Sequence, residues 1–90
     1  MKKCTDDAKL HARLARIMGQ IKAIDRMIDE DVPCEDVLMQ ISAAKSALNK
    51  AGMVLLEEHI KHCLKDAVAK GDDEQIENFT KALERFANMQ

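Results

Sequence analysis

The stretch LHARLARIMGQIKAIDRMI, residues 10–28, places apolar side chains at Leu10, Leu14, Ile17, Ile21, Ile24 and Ile28, at spacings of 4, 3, 4, 3 and 4. That is an apolar heptad seam, the pattern of a helix that packs lengthwise on other helices. Beside it, Lys9, Arg13, Arg16 and Gln20 recur at spacings of 4, 3 and 4. Residues so spaced share a helical face, so a basic, amide-bearing flank adjoins the apolar one. A first helix is expected over about residues 6–30, with Asp29-Glu30-Asp31-Val32 as the acidic turn behind it.

Outward from that turn, Pro33 suits the first turn of a second helix, where a missing N–H costs nothing. Glu35 and Asp36 complement the positive end of its dipole. The second helix is expected over about 33–69, ending before Gly71. Its seam is Val37, Ile41, Ala44, Leu48, Gly52, Leu55, His59 and Cys63. After the turn Gly71-Asp72-Asp73, a third helix is expected over about 73–87, with Ile76, Phe79, Leu83 and Phe86 on its apolar side.

The fold class that follows is all-α, one domain over residues 1–90. The first two helices form an antiparallel hairpin that needs a second copy to cover its seam, giving a four-helix bundle in a homodimer. Ninety residues bury a marginal core on their own, so an apolar content of 47% favours oligomerisation.

Several functions are disfavoured at once. Phe79 and Phe86 are the only aromatics, too few to build a stacking platform for single-stranded nucleic acid. The three glycines, Gly19, Gly52 and Gly71, lie too far apart for a GxGxxG phosphate loop, and no arrangement for a catalytic nucleophile occurs, so an enzyme is not expected. No apolar run approaches the roughly 20 residues that span a bilayer. The start, MKKCTDDAK, lacks an apolar signal region, so no membrane partner and a cytoplasmic protein are expected. In that compartment the three cysteines are better read as metal ligands or reactive thiols than as disulfides.

The net charge of −2 conceals an asymmetry: residues 1–26 carry seven Lys/Arg against three acids, and residues 27–90 carry seven against thirteen. A basic N-terminal face suits an anionic partner such as duplex DNA.

The chemistry gathers at Cys34, His59 and Cys63. His59 and Cys63 are four apart and so share a helical face, but Cys34 lies 25 residues before His59. In one continuous helix that separation is about 38 Å, far beyond metal–ligand bonds of about 2.0–2.3 Å. If the three form one site, two subunits must share it. Suppose the second helix packs antiparallel on its copy, crossing between residues 46 and 49, where Ala43, Ala44 and Ala47 allow close approach. Cys34 of one chain then faces His59 and Cys63 of the other. Two thiolates and an imidazole are soft donors that select Cu(I) or zinc over calcium and magnesium. Three donors suit Cu(I); Zn(II) or Ni(II) would take a fourth, for which Cys4 and His62 are the candidates. His11 reads as a surface residue. Without metal, Cys34 and Cys63 of opposite subunits could instead be bridged by sulfur, as in a persulfide sensor.

The segments RLARIMGQIKAI, PCEDVLMQISAAKSALNK and LLEEHIKHC, followed by the Gly-Asp turn, resemble the CsoR/RcnR/FrmR family of small helical repressors, over about Leu10–Phe86. The resemblance implies three-helix protomers whose antiparallel dimers pair into flat homotetramers, which bind operator DNA and release it when an inducer binds. The set Cys34, His59 and Cys63 resembles that of the copper(I) sensors. By the same resemblance, DNA contacts fall on Arg13 and on Lys50, where Arg is usual; Lys9, Arg16 and Gln20 share the face of Arg13 on the helical reading above. Pro33 stands where many copper members have Tyr, and Phe79 where they have a Glu that supports the site, Glu77 being the nearest acid. Cys4 lies near the position of an extra N-terminal ligand in nickel-type members. The leading expectation is a Cu(I)-responsive repressor; a thiol-redox sensor, a Ni(II)-responsive repressor and a copper-buffering chaperone without DNA function are the alternatives.

Overall fold

A computed structural model of the chain describes residues 7–88. Every regular element among them is helical: α1 (Asp7–Asp29), α2 (Cys34–His59), a π turn (Ile60–Leu64), α3 (Lys65–Lys70) and α4 (Asp73–Asn88). Two compact units divide the chain. One holds α1 and α2 as far as Val54, and the other runs from Leu55 through α4.

In the first unit the sequence punctuates α1 by a polar turn. The N–H of Val32 reaches back to the carbonyl of Met27 at 3.3 Å, and Asp31 takes φ 58°. That is the six-residue closure of a Schellman motif with a non-glycine residue in the left-handed position. Pro33 sits one residue before α2, and its carbonyl accepts from the N–H groups of Asp36 (3.0 Å) and Val37 (3.2 Å). A connection this short between two long helices of one unit is that of an αα-hairpin.

The seam read from spacing divides between two environments. On α1, Ile17 is buried while Ile21 and Ile28 remain exposed; on α2, Ala44 and Ala51 are buried while Ile41, Leu48 and Leu55 remain exposed. A strict heptad drifts around a 3.6-residue helix, so one stripe cannot face one neighbour along its whole length. No large side chain among the described residues is fully buried. The exposed members, Ile41, Leu48 and Leu55, are seven apart, the spacing of a second packing seam.

The single helix expected over 33–69 is interrupted. The N–H of Lys65 bonds to the carbonyl of Ile60, five residues back, which makes Ile60–Leu64 a π turn. Leu55, His59, Cys63 and Ala67 explain it: three successive steps of four accumulate about 120° of drift in an ideal α-helix. A wider turn takes up one extra residue and keeps Cys63 and Ala67 buried on one side. Gly71, at φ 69°, then closes α3, with Asp72 N–H on Ala67 O (2.9 Å) and Gly71 N–H on Val68 O (3.2 Å). Asp72 at once caps α4, its Oδ1 accepting from the Gln75 N–H at 3.1 Å. Within this unit α4 packs against both the π turn and α3.

Candidate metal centre and nucleic-acid face

Cys34 is the first residue of α2, exposed and a free thiol. His59 is the last residue of the same helix and is half-buried. Its imidazole lies flat on the phenyl ring of Phe79 from α4, with centroids 4.9 Å apart and planes within 8° of parallel. Cys63 sits inside the π turn, 3% exposed. The structure thus sets His59 and Cys63 on successive turns at the π junction and leaves Cys34 at the far end of α2. Among the described residues no three His, Cys, Asp or Glu side chains of one chain converge on a common point. The donor set fits a soft ion in its chemistry, two sulfurs and a nitrogen, but one chain does not close it.

The sequence favours metal ligands or reactive thiols over disulfides for the cysteines, and the structure departs from that at Cys63, whose sulfur is engaged in a disulfide. Burial withdraws this sulfur from solvent, and a metal would require it reduced, because only the thiolate ligates.

Of the two candidate fourth ligands, His62 is exposed and its Nε2 lies 3.1 Å from Glu58 Oε2, an i,i+4 pair on the helix surface. Cys4 lies outside the described residues. Glu77, the nearest acid to the support position, is held by Lys81 Nζ at 3.3 Å. Sequence reasoning placed Phe79 on an apolar side and could not see that it covers the histidine; the signal was only that an aromatic replaces an acid there.

The expected DNA-facing residues all fall within the first unit. Lys9, Arg16 and Lys50 are exposed and Arg13 is half-buried. Gln20 departs from the rest: its amide oxygen is buried and meets no hydrogen-bond donor.

No described helix is long and apolar enough to cross a membrane. Residues 6–85 match the family described as metal-sensitive transcriptional repressors. The copper-sensing transcriptional repressor CsoR of Bacillus subtilis (strain 168) is 46% identical over 63 residues, which is 70% of this chain and 62% of that relative's length. The chain therefore spans less than two thirds of this curated relative. The crystal structure of the copper-sensing repressor CsoR with Cu(I) from Geobacillus thermodenitrificans NG80-2 superimposes with a TM-score of 0.86 at 34% identity, over 97% of this chain and 94% of that one. The nickel-responsive transcriptional regulator InrS is similar at a TM-score of 0.79 and 34% identity, over 96% of this chain and 98% of its own. Helical architecture, the repressor segments and the extent of the match agree: this chain belongs to the metal-sensitive transcriptional repressor family.

Proposed function

We propose that this chain is a Cu(I)-responsive transcriptional repressor, cytoplasmic and homo-oligomeric, whose metal-free form binds operator DNA and whose Cu(I)-bound form releases it. Cys34 of one subunit would complete a site with His59 and Cys63 of its neighbour. The observation that carries this reading is the split donor set. His59 ends α2 and Cys63 lies in the π turn that follows it, while the free thiol of Cys34 opens α2. The exposed row Ile41, Leu48 and Leu55 runs between these ends and offers a seam for a second copy of α2. Antiparallel pairing along that row gives the four-helix bundle, and dimers would pair into the tetramer. Relatives that sense copper, and one whose structure carries Cu(I), support the choice of metal.

Bound Cu(I) would accept two thiolates and one imidazole. The chain's own part is to hold those donors on facing helices, so that capture favours one arrangement of the hairpins. Lys9, Arg13, Arg16 and Lys50 form the basic surface that neutralises phosphates; contacts of this kind position a protein on DNA without reading bases directly. A hundredfold difference in DNA affinity between the two states corresponds to roughly 2.7 kcal/mol of coupling.

Ni(II) is the second reading, favoured by the likeness to a nickel-responsive regulator; it would need a fourth donor, Cys4 or His62. Duplexes selected from a random library on reduced, metal-free protein provide the DNA probe. Anaerobic titration with Cu(I), and separately with Ni(II), should then show release by Cu(I) alone at one ion per chain. Copper uptake with no duplex recovered would reduce the protein to a copper buffer, and release by Ni(II) but not Cu(I) would favour the second reading.

A further inference from the structure

Histidines that ligate metals usually donate their second ring N–H to a carboxylate or carbonyl, which fixes both ring orientation and tautomer. Here the recorded neighbour of the His59 ring is a phenyl face, and two acids beside the pair are engaged elsewhere, Glu58 with His62 and Glu77 with Lys81. We propose that Phe79 is a positioning residue for metal capture, holding the plane of the His59 imidazole by stacking while leaving both ring nitrogens free at the edge. This inference rests on the reading of His59 as a ligand.

The geometry carries the argument. Imidazole lone pairs and N–H bonds lie in the ring plane, so a neighbour parallel to that plane covers a face and obstructs neither nitrogen. With planes 8° from parallel, Phe79 restrains the side-chain torsions of His59 without hydrogen-bonding to it. Its own place is fixed because α4 packs on the π turn that follows His59. A phenyl ring cannot accept an in-plane hydrogen bond, so it orients the imidazole but does not choose which nitrogen carries the proton. Stacking also discriminates between states. A metal draws electron density from its imidazole, and the electron-rich phenyl face is attracted to a ring with more positive character.

Phe79→Leu keeps apolar bulk and removes the ring; Phe79→Tyr keeps the ring, and Phe79→Met is the reserve should the leucine variant unfold. Two readouts apply to the reduced full chain. One is the ring-current displacement of the His59 C–H proton resonances in metal-free protein, and the other is Cu(I) affinity by chelator competition. Phe79→Leu should abolish the displacement and weaken Cu(I) about tenfold. Phe79→Tyr should stay within about twofold of the parent, and in a His59→Ala background Phe79→Leu should cost nothing further. An unchanged affinity in Phe79→Leu, with His59→Ala still impaired, would overturn the positioning role and leave the ligand reading standing. An equal loss from Phe79→Leu in both backgrounds would also overturn it, by making the residue merely structural. If His59→Ala itself binds Cu(I) as the parent does, the ligand reading fails, and this inference fails with it.

Discussion

Leu48 is where the proposed pairing along α2 can be tested with least damage to the protomer. It stands in the middle of the open row on α2, 53% exposed in the single chain, with Ile41 and Leu55 one heptad to either side. Complete burial of a leucine side chain is worth about 1.5–3 kcal/mol. Covering the half that remains open therefore contributes roughly 1 kcal/mol per chain. A two-fold interface contains the residue twice, so Leu48→Ala should weaken the dimer by about 2 kcal/mol, roughly 30-fold in dissociation constant. Antiparallel pairing with its crossing between residues 46 and 49 also sets the two copies of this residue near each other. Leu48→Asp would then oppose two carboxylates in a partly dry seam and should leave the protein monomeric at micromolar concentration. Sedimentation velocity over a dilution series measures both effects, with helix content by circular dichroism as the control for folding. Retention of the parent's association constant by both variants would refute the assignment of this row to the subunit interface.

Backbone chemistry at the two left-handed caps gives a paired stability prediction. Gly71→Ala at φ 69° should lower stability by about 1 kcal/mol, since a Cβ there meets no atom within 4 Å and only the backbone conformation is penalised. Asp31→Gly at φ 58° should raise it by a similar or smaller amount, both read as shifts of several degrees in Tm at fixed protein concentration. Arg16→Ala, at an exposed position on the basic flank, should weaken DNA binding across all sequences. It should also reduce the slope of log affinity against log salt by about one for each phosphate contact removed; an unchanged slope would take Arg16 out of the interface. Because the Cys63 sulfur is held in a disulfide, Cu(I) uptake should be strongly impaired in oxidised protein and recover on reduction, as followed by chelator competition. Equal uptake in both forms would remove Cys63 from the ligand set.

Much of the fold was legible because its punctuation is chemical. Pro33 and Gly71 mark helix ends through the missing N–H and the left-handed φ, and each does so here; Asp72, read only as part of the turn, adds a capping carboxylate. What periodicity reports is a face, not its neighbour. The spacing of Ile41, Ala44 and Leu48 could not separate the buried alanine from the two residues that are exposed in the single chain. The π turn was equally hidden, although the run Leu55, His59, Cys63 and Ala67 at unbroken fours is a pattern that an ideal α-helix cannot keep on one face. At the candidate site the residue types carried the donor chemistry. The stack of Phe79 on His59 joins two elements 20 residues apart and depends on how α4 packs, which no local signal encodes. Gln20 shows the same limit: its spacing places it with the basic flank, and nothing in the spacing indicates that its amide oxygen is buried without a donor.

The claim on which the account turns is that each metal site draws ligands from two chains, and subunit complementation tests it most directly. Cys34→Ala and Cys63→Ala should each lose tight Cu(I) binding when expressed alone. Co-expressed, they form mixed dimers in which one of the two sites regains Cys34 from one chain and His59 with Cys63 from the other. Random assortment then restores about a quarter of the parent's sites, detectable as a recovered Cu(I) stoichiometry under anaerobic chelator competition. Recovery near that fraction is the predicted result. No recovery in verified mixed dimers, or a monomeric parent that binds Cu(I) through the same three residues, would contradict it.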